Sequence, residues 1–333
     1  MQSRQGRAGF RDHGGGPPGV TTLLSTDLAG VLAAVASSAL GGAAVGATRY
    51  VARALDPLAL GSLRFGIGVL LLAPLAWTQR SRWPSRADWP ATAVLGLLFF
   101  ALFPALFNAS LRYTTASRGA LALSTLPLLT MAVGALLGVE ALTRRKSAGV
   151  LIAFGGVALA LVSGLSDAPA GAWRGDLLMV GAASCMALYS VGSRALIRRS
   201  GPITFTALAM AVGAACLVAL SLVRGSYAAL AGFGPAQWSA IAYLGVFGGA
   251  VGFWLWSYAL SRTSPTRVAI SVTVNPIVAA LVGAAMLGEA VRWNLVLGLA
   301  AVFAGIWIAS TGDSSSFPDA RERAKRAADA EAR

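Results

Sequence analysis

Two prolines stand deep inside apolar runs of about twenty residues: Pro127 and Pro276. Proline has no N–H and displaces the turn before it, so the carbonyls of Leu123 and Val272, four residues back, lose their regular partners. Small polar side chains lie beside both, Ser124 and Thr125 in one run, Thr273 and Asn275 in the other. In hydrocarbon such groups need partners, which a water-filled cavity or a small polar solute supplies; a tolerated kink is the plainer alternative. Glu140 and Glu289 close the same two runs beside Arg144 and Arg292, and read as interfacial ion pairs or caps that fix a loop. Arg64 lies about a turn and a half into another run. At that depth an arginine snorkels, pairs structurally or binds an anionic group. Asn108, Tyr189 and Trp256 with Ser257 add amide, hydroxyl and π surfaces inside further runs. The candidate substrate-binding set is Asn108, Ser124, Tyr189, Trp256 and Asn275. Pro127, Pro276, Arg64, Glu140 and Glu289 are gating or structural positions.

These groups bind; they do not break bonds. Intramembrane hydrolysis needs a Ser/His dyad, paired Asp or metal ligands at depth. The one histidine, His13, sits in a Gly/Pro-rich head, so neither a catalytic dyad nor a metal site is expected. Cys185 and Cys216 lie in apolar runs and read as small core residues. No phosphate-cradling Gly-rich loop ending in Lys-Ser/Thr is present, so the chain holds no nucleotide motor and no cofactor is expected. The middle of each run lacks Asp, Glu, His and Lys, which argues against a carboxylate-centred proton relay but leaves coupling through Glu140 or Glu289 open.

The elements that position these residues follow from composition. The 333 residues are 56% hydrophobic and 12% charged, about half the charge of a soluble domain. Lipid must therefore be the main solvent. Spans are expected at about 28–50, 58–77, 90–110, 117–137 and 147–165, then, after a polar linker at 166–174, at 175–197, 203–223, 238–260, 266–287 and 294–310. Residues 1–26 read as a disordered cytoplasmic head and 311–333 as a charged cytoplasmic tail. With both termini inside, nineteen of the 27 Lys and Arg fall on the cytoplasmic side and seven outside. The positive-inside rule thus predicts a multi-pass protein of the cytoplasmic membrane. The net charge of +14 is loop charge, not a nucleic-acid footprint. The expected partners are a small-molecule substrate and the lipid bilayer, with a homodimer left as an option.

The chain also repeats itself. A shift of 149 residues places Trp89 on Trp238, Gly96 on Gly245, Pro127 on Pro276, Glu140 on Glu289, Gly149 on Gly298 and Gly156 on Gly305. Near the repeat starts the shift is 145, pairing Arg49 with Arg194 and Pro57 with Pro202. Five helices per copy is an odd number, so the second copy is inverted. The expected fold is an all-α integral membrane protein of ten transmembrane helices in two inverted five-helix repeats, 27–165 and 175–310, the architecture of alternating-access transporters.

Over about residues 27–310 these features resemble the EamA family of the drug/metabolite transporter superfamily. The carrying segments are Gly42 to Arg64, with Pro57, and Ala116 to Gly156, with the mid-helix proline, the glutamate, the basic residues and the glycines. The second copy repeats the pattern at Pro276, Glu289, Gly298 and Gly305 but has no close equivalent of Arg64, and Gly41 stands where a tryptophan is often found. The resemblance implies proton-coupled or facilitative exchange, often export, of amino acids, nucleosides and related metabolites. The family's small multidrug relatives use a glutamate in helix 1 that is missing here, and its phosphate exchangers use buried cations, which favours a neutral or zwitterionic substrate. A passive channel and a membrane-embedded enzyme are the alternatives, separated from a transporter by saturable counterflow.

Overall fold

The computed structural model describes residues 20–310 except 53, 80–82, 111–112, 115–118, 120–121, 162–169, 279–280 and 282–292. Glu289 lies outside the described residues, as do 1–19 and 311–333. Among the described residues every regular element is helical. In chain order these are α1 (Val20–Ala52), α2 (Pro57–Thr78), α3 (Trp89–Ser110), α4 (Leu126–Leu136), α5 (Arg144–Leu161), α6 (Ala172–Ser200), α7 (Pro202–Val223), α8 (Pro235–Arg262), α9 (Pro265–Ile270) and α10 (Trp293–Ser310), with a short 3-10 helix, Ala228–Gly232, between α7 and α8. Six of them, α1, α2, α3, α6, α7 and α8, are long and apolar enough to cross a membrane. Large apolar side chains face outward all round, with Leu70 74%, Leu136 85%, Trp307 69% and Val223 87% exposed. Such a surface suits acyl chains, not water.

Helix starts follow local chemistry. Pro57, Pro202, Pro235 and Pro265 each occupy the first turn, where the missing amide costs nothing. Asp56 caps α2 by accepting from the Leu58 N–H at 2.9 Å. Gly201, with φ of 81°, turns the chain from α6 into α7 within one residue. The first helix begins at Val20 and so extends into the segment 1–26 that was read as a disordered head. Leu23 and Leu24 continue its apolar sequence toward that start.

Four departures from regular helix stand in the interior. Between Ala122–Leu123 and α4 the chain makes a turn at Ser124–Thr125, so the run 117–137 is not one straight span. After Ile270, α9 tightens into a 3-10 turn over Ser271–Thr273 and resumes at 274–278. Both breaks lie two to five residues ahead of a proline, as loss of the amide requires. The Thr125 and Thr273 hydroxyls donate to the carbonyls of Ala122 and Ile270, each at 2.6 Å, and hold the breaks. The other two are π turns, Leu98–Leu102 in α3 and Val246–Val251 in α8. In α3, Pro104 removes the donor that Phe100 would use; in α8 the run Gly248-Gly249-Ala250 lets the helix widen.

The backbones of α5 and α10 pack closely where they cross. A Cβ on Gly149 would lie 2.6 Å from the Gly305 oxygen, and one on Gly305 would lie 2.6 Å from the Gly149 oxygen. Gly156 meets Gly298 in the same manner, at 2.8 Å, so the two helices run antiparallel. The largest core cluster joins Phe65 of α2, Phe99 and Phe100 of α3, Tyr189 of α6, Phe205 of α7 and Trp256 of α8.

Candidate functional site

The interior polar groups collect around the broken and widened turns. Ser37 of α1 donates to the Gly252 oxygen at the end of the α8 π turn, at 2.8 Å. Its neighbour Ser38 lies 2.8 Å from the Ser271 hydroxyl, which opens the 3-10 turn of α9 and also bonds the Val268 oxygen at 2.7 Å. Thr206 of α7 donates to Ser257 of α8 at 2.6 Å. The Tyr189 hydroxyl faces the same Ser257. Ser37, Ser38, Thr206 and Ser271 were not singled out from the sequence. Their signal, Ser or Thr deep in an apolar helix, is too common to stand out.

The residues expected to bind substrate are distributed unevenly. Tyr189 is 1% exposed and stacks on Phe99, ring centroids 4.2 Å apart. Trp256 is 2% exposed, and its Nε1–H has no partner among the described residues. Asn275 is half-buried, with Oδ1 likewise unpartnered, and its amide nitrogen lies 3.3 Å from where a Gly41 Cβ would stand. The small residue at position 41 is thus what leaves room for the Asn275 amide. Ser124 is buried at the break before α4, with Pro127 buried three residues on, and Pro276 is half-buried. Asn108 is half-buried near the end of α3. Tyr189, Ser257 and Trp256 therefore share one core, Asn275 faces α1, and Asn108 lies beyond them toward one end. An open groove of about 420 Å³ between Leu106 and Leu177 is lined by none of the five.

Arg64 joins this core from α2. Its Nε and Nη2 donate to the Gly248 oxygen in the α8 π turn, at 3.2 and 2.7 Å. The guanidinium lies 5.6 Å from the Phe65 ring centre and 5.9 Å from that of Phe253. Phe253 touches Phe99 and Phe100 edge-on, which links Arg64 to the Tyr189 stack through aromatic rings.

Glu140 is elsewhere, in a charged cluster at one end of the bundle. It is 5% exposed; Oε2 pairs with Lys146 at 3.3 Å, and Oε1 accepts the Thr266 N–H of α9 at 3.0 Å. The expected neighbour Arg144 is not its ion-pair partner. The helix ends at Leu136 and Gly138 turns with φ of 64°, so the i,i+4 spacing of a helix no longer applies at position 140. In the same cluster Arg267 of α9 pairs with Asp27 of α1 and donates from Nε to the Ala309 oxygen of α10 at 3.0 Å. Five helices are tied at this end by two carboxylates and two cations. Among the described residues no group of three or more His, Cys, Asp or Glu could hold a metal ion.

Known proteins agree with this picture. The model of the EamA-like transporter family matches residues 28–162 and again 173–311. An uncharacterized transporter of Bacillus subtilis, YyaM, is 26% identical over 81% of this chain and 89% of its own. An uncharacterized transporter of Archaeoglobus fulgidus is 31% identical over 76% and 88%. A probable terminal-alkyne amino-acid exporter of Streptantibioticus cattleyicolor is 26% identical over 74% and 81%. One crystal structure, 22% identical, shares the fold with a TM-score of 0.69 over 86% of this chain and 95% of that one. The chain belongs to the EamA-like transporter family and is a multi-pass membrane transporter, not an enzyme.

Proposed function

We propose that this protein exports small metabolites, such as amino acids or nucleosides, across the cytoplasmic membrane by alternating access of two inverted five-helix halves, residues 27–165 and 175–310. One observation carries the reading: the departures from regular helix recur at the 149-residue shift. The π turn Leu98–Leu102 falls on Phe247–Val251, inside the π turn of α8. The break at Ser124–Thr125 falls on Thr273–Val274, where the 3-10 turn of α9 ends. Contacts follow suit: Gly213 of α7 packs on Phe100 in the first π turn, and Gly68 of α2 packs on Gly249 and Ala250 in the second. Discontinuous helices at matched positions of two repeats are where transporters place substrate.

In this reading Ser124, Tyr189, Trp256, Asn275 and Asn108 line the path, and both termini are cytoplasmic. The cluster of Glu140, Lys146, Asp27 and Arg267 then lies on the cytoplasmic side and holds that end shut. Rocking of the halves breaks and remakes it. The amino-acid exporter among the relatives supports the substrate class. The test is counterflow in proteoliposomes loaded with unlabelled amino acids and nucleosides, following uptake of each labelled compound with and without a pH gradient. Saturable, trans-stimulated uptake is expected. Unsaturable uptake without trans-stimulation would make the protein a channel.

A further inference from the structure

We propose that Arg64 is the carboxylate anchor of the transport site, so that the solute carried is a carboxylate-bearing zwitterion rather than a nucleoside. The inference rests on the transport reading above and narrows it. Three features of Arg64 lead there.

The first is depth. Arg64 is the eighth residue of the 22-residue α2, and the carbonyl it holds belongs to the fourteenth residue of the 28-residue α8. A snorkelling arginine carries its head toward a helix end. This head is bound at the midpoint of α8, which leaves structural pairing or ligand binding.

The second is what pairing it has. Among the described residues no carboxylate lies within salt-bridge distance of Arg64. A cation retained at depth without a counter-charge is costly, and such residues mark substrate paths. The bond to Gly248 satisfies only one edge of the guanidinium, that formed by Nε and Nη2. The other edge, Nη1 with the second hydrogen of Nη2, remains. It is a planar two-donor fork matched to the two oxygens of a carboxylate. None of the Arg64 nitrogens is among the sealed-in, unpartnered atoms, and the residue is half-buried.

The third is preorganisation. A Cβ on Gly248 would lie 2.9 Å from Nη2 and 3.2 Å from both Cζ and Nε, so the guanidinium lies flat on a turn that only glycine leaves bare. A Cβ on Gly249 would come within 2.8 Å of the Arg64 oxygen, so the backbones of α2 and α8 meet at this level. Phe65 and Phe253 flank the charge. An arginine already held by one edge loses little freedom when the other is filled. The second repeat has Ala209 at the position matching Arg64 under the 145-residue shift, so the anchor is single and fixes the solute in one orientation.

The experiment measures binding to the purified full chain in detergent. The probes are L-leucine, L-phenylalanine and L-threonine, each against its own carboxamide, with adenosine and uridine alongside. The expected result is that at least one amino acid binds and that its carboxamide binds about tenfold to hundredfold more weakly, the range of a lost charge-assisted hydrogen bond. Arg64→Gln should abolish that preference, and Gly248→Ala, which leaves the charge but pushes it off its seat, should weaken binding of the acid. Equal binding of acid and amide, binding of nucleosides alone, or binding of none of the three acids overturns the proposal. If Arg64→Gln does not fold, the acid-against-amide comparison on the unmodified chain still decides. Arg64-dependent acid binding without counterflow would keep the anchor and sink the transport reading. Nucleoside counterflow unchanged in Arg64→Gln would do the reverse.

Discussion

Replacing Glu140 separates two jobs that one carboxylate performs. Oε1 holds the Thr266 N–H at the start of α9, and Oε2 holds the Lys146 ammonium at the start of α5. The Thr266 contact is buried and the Lys146 contact mostly so: the side chains of Glu140 and Lys146 are 4% and 12% exposed. Glu140→Ala removes both, leaving an amide and a cation without their acceptor. Breaking a buried pair from one side costs about 3–5 kcal/mol, most of it from the charge left behind. Glu140→Gln keeps a neutral acceptor for Thr266 and loses only the charge, so it should cost roughly 1–3 kcal/mol less than alanine. In the double variant Glu140→Gln, Lys146→Met no charge is stranded, and stability should return to within about 1 kcal/mol of the parent. The assay is thermal unfolding of the purified chain, reported by exposure of the buried Cys185 thiol to a fluorogenic maleimide. The order expected is parent, double variant, Gln, Ala. An Ala variant that melts with the parent would refute the argument, because a buried charge would then have been stranded at no cost. A double variant no better than Gln alone would show that Lys146 was never the charge at stake.

Three further expectations follow from the geometry. Gly149→Leu should cost at least about 1–3 kcal/mol, because its Cβ meets the Gly305 oxygen at 2.6 Å, whereas Gly155→Leu, with nothing within 4 Å, should be neutral; the same thermal assay compares them. Trp256→Phe and Asn275→Ala remove polar atoms that have no partner among the described residues, so each should leave stability within about 1 kcal/mol while counterflow falls. Full flux in both would take those residues out of the path. Ser257→Ala removes the acceptor of Thr206 and the partner of the buried Tyr189 hydroxyl and should cost about 1–3 kcal/mol, of which the double variant Thr206→Val, Ser257→Ala recovers only the Thr206 share.

What could be read from the sequence was what depends on composition and spacing. Helix bounds at Pro57, Pro202 and Pro265 fell within a few residues of their expected places because proline marks a first turn whatever surrounds it. The Ser124 and Thr273 neighbourhoods of the two prolines were legible for the same reason. The π turns were not, although Pro104 and the Gly248-Gly249 pair were in view. A five-residue widening leaves no periodicity, and glycine in a membrane helix has many uses. The partner of Arg64 lies 184 residues away, so no local reasoning could choose among snorkelling, pairing and binding. Glu140 shows a different limit. Beside Arg144 it reads as an interfacial ion pair or cap; it does pair and cap, but its ion pair is with Lys146, since Gly138 turns the chain first, and the contact that ties it to α9 spans 126 residues.

The asymmetry of the site bears on how a symmetric scaffold acquires direction. The scaffold elements are duplicated: two π turns, two breaks ahead of prolines, two glycine pairs between α5 and α10. In the alternating-access reading proposed above, duplicated elements would keep the two end states similar in energy, since a free-energy gap of a few kcal/mol would leave one state nearly empty. The chemistry is not duplicated. Gly248 matches Phe99 under the 149-residue shift, so the turn that seats a guanidinium in one half carries, in the other, the ring on which Tyr189 stacks. The first half thus supplies both the Arg64 guanidinium and the Phe99 ring, and the second half seats the one on Gly248 and stacks Tyr189 on the other, so the matched positions 99 and 248 serve a ring and a charge. Exchanging them is a direct test. A Gly248→Phe variant should lose binding through displacement of Arg64, while Phe99→Gly, which leaves Arg64 seated, should keep the preference for acid over amide and lose affinity for L-phenylalanine more than for L-threonine. If Phe99→Gly weakened all three amino acids alike, the ring would be packing alone and would take no part in choosing the solute.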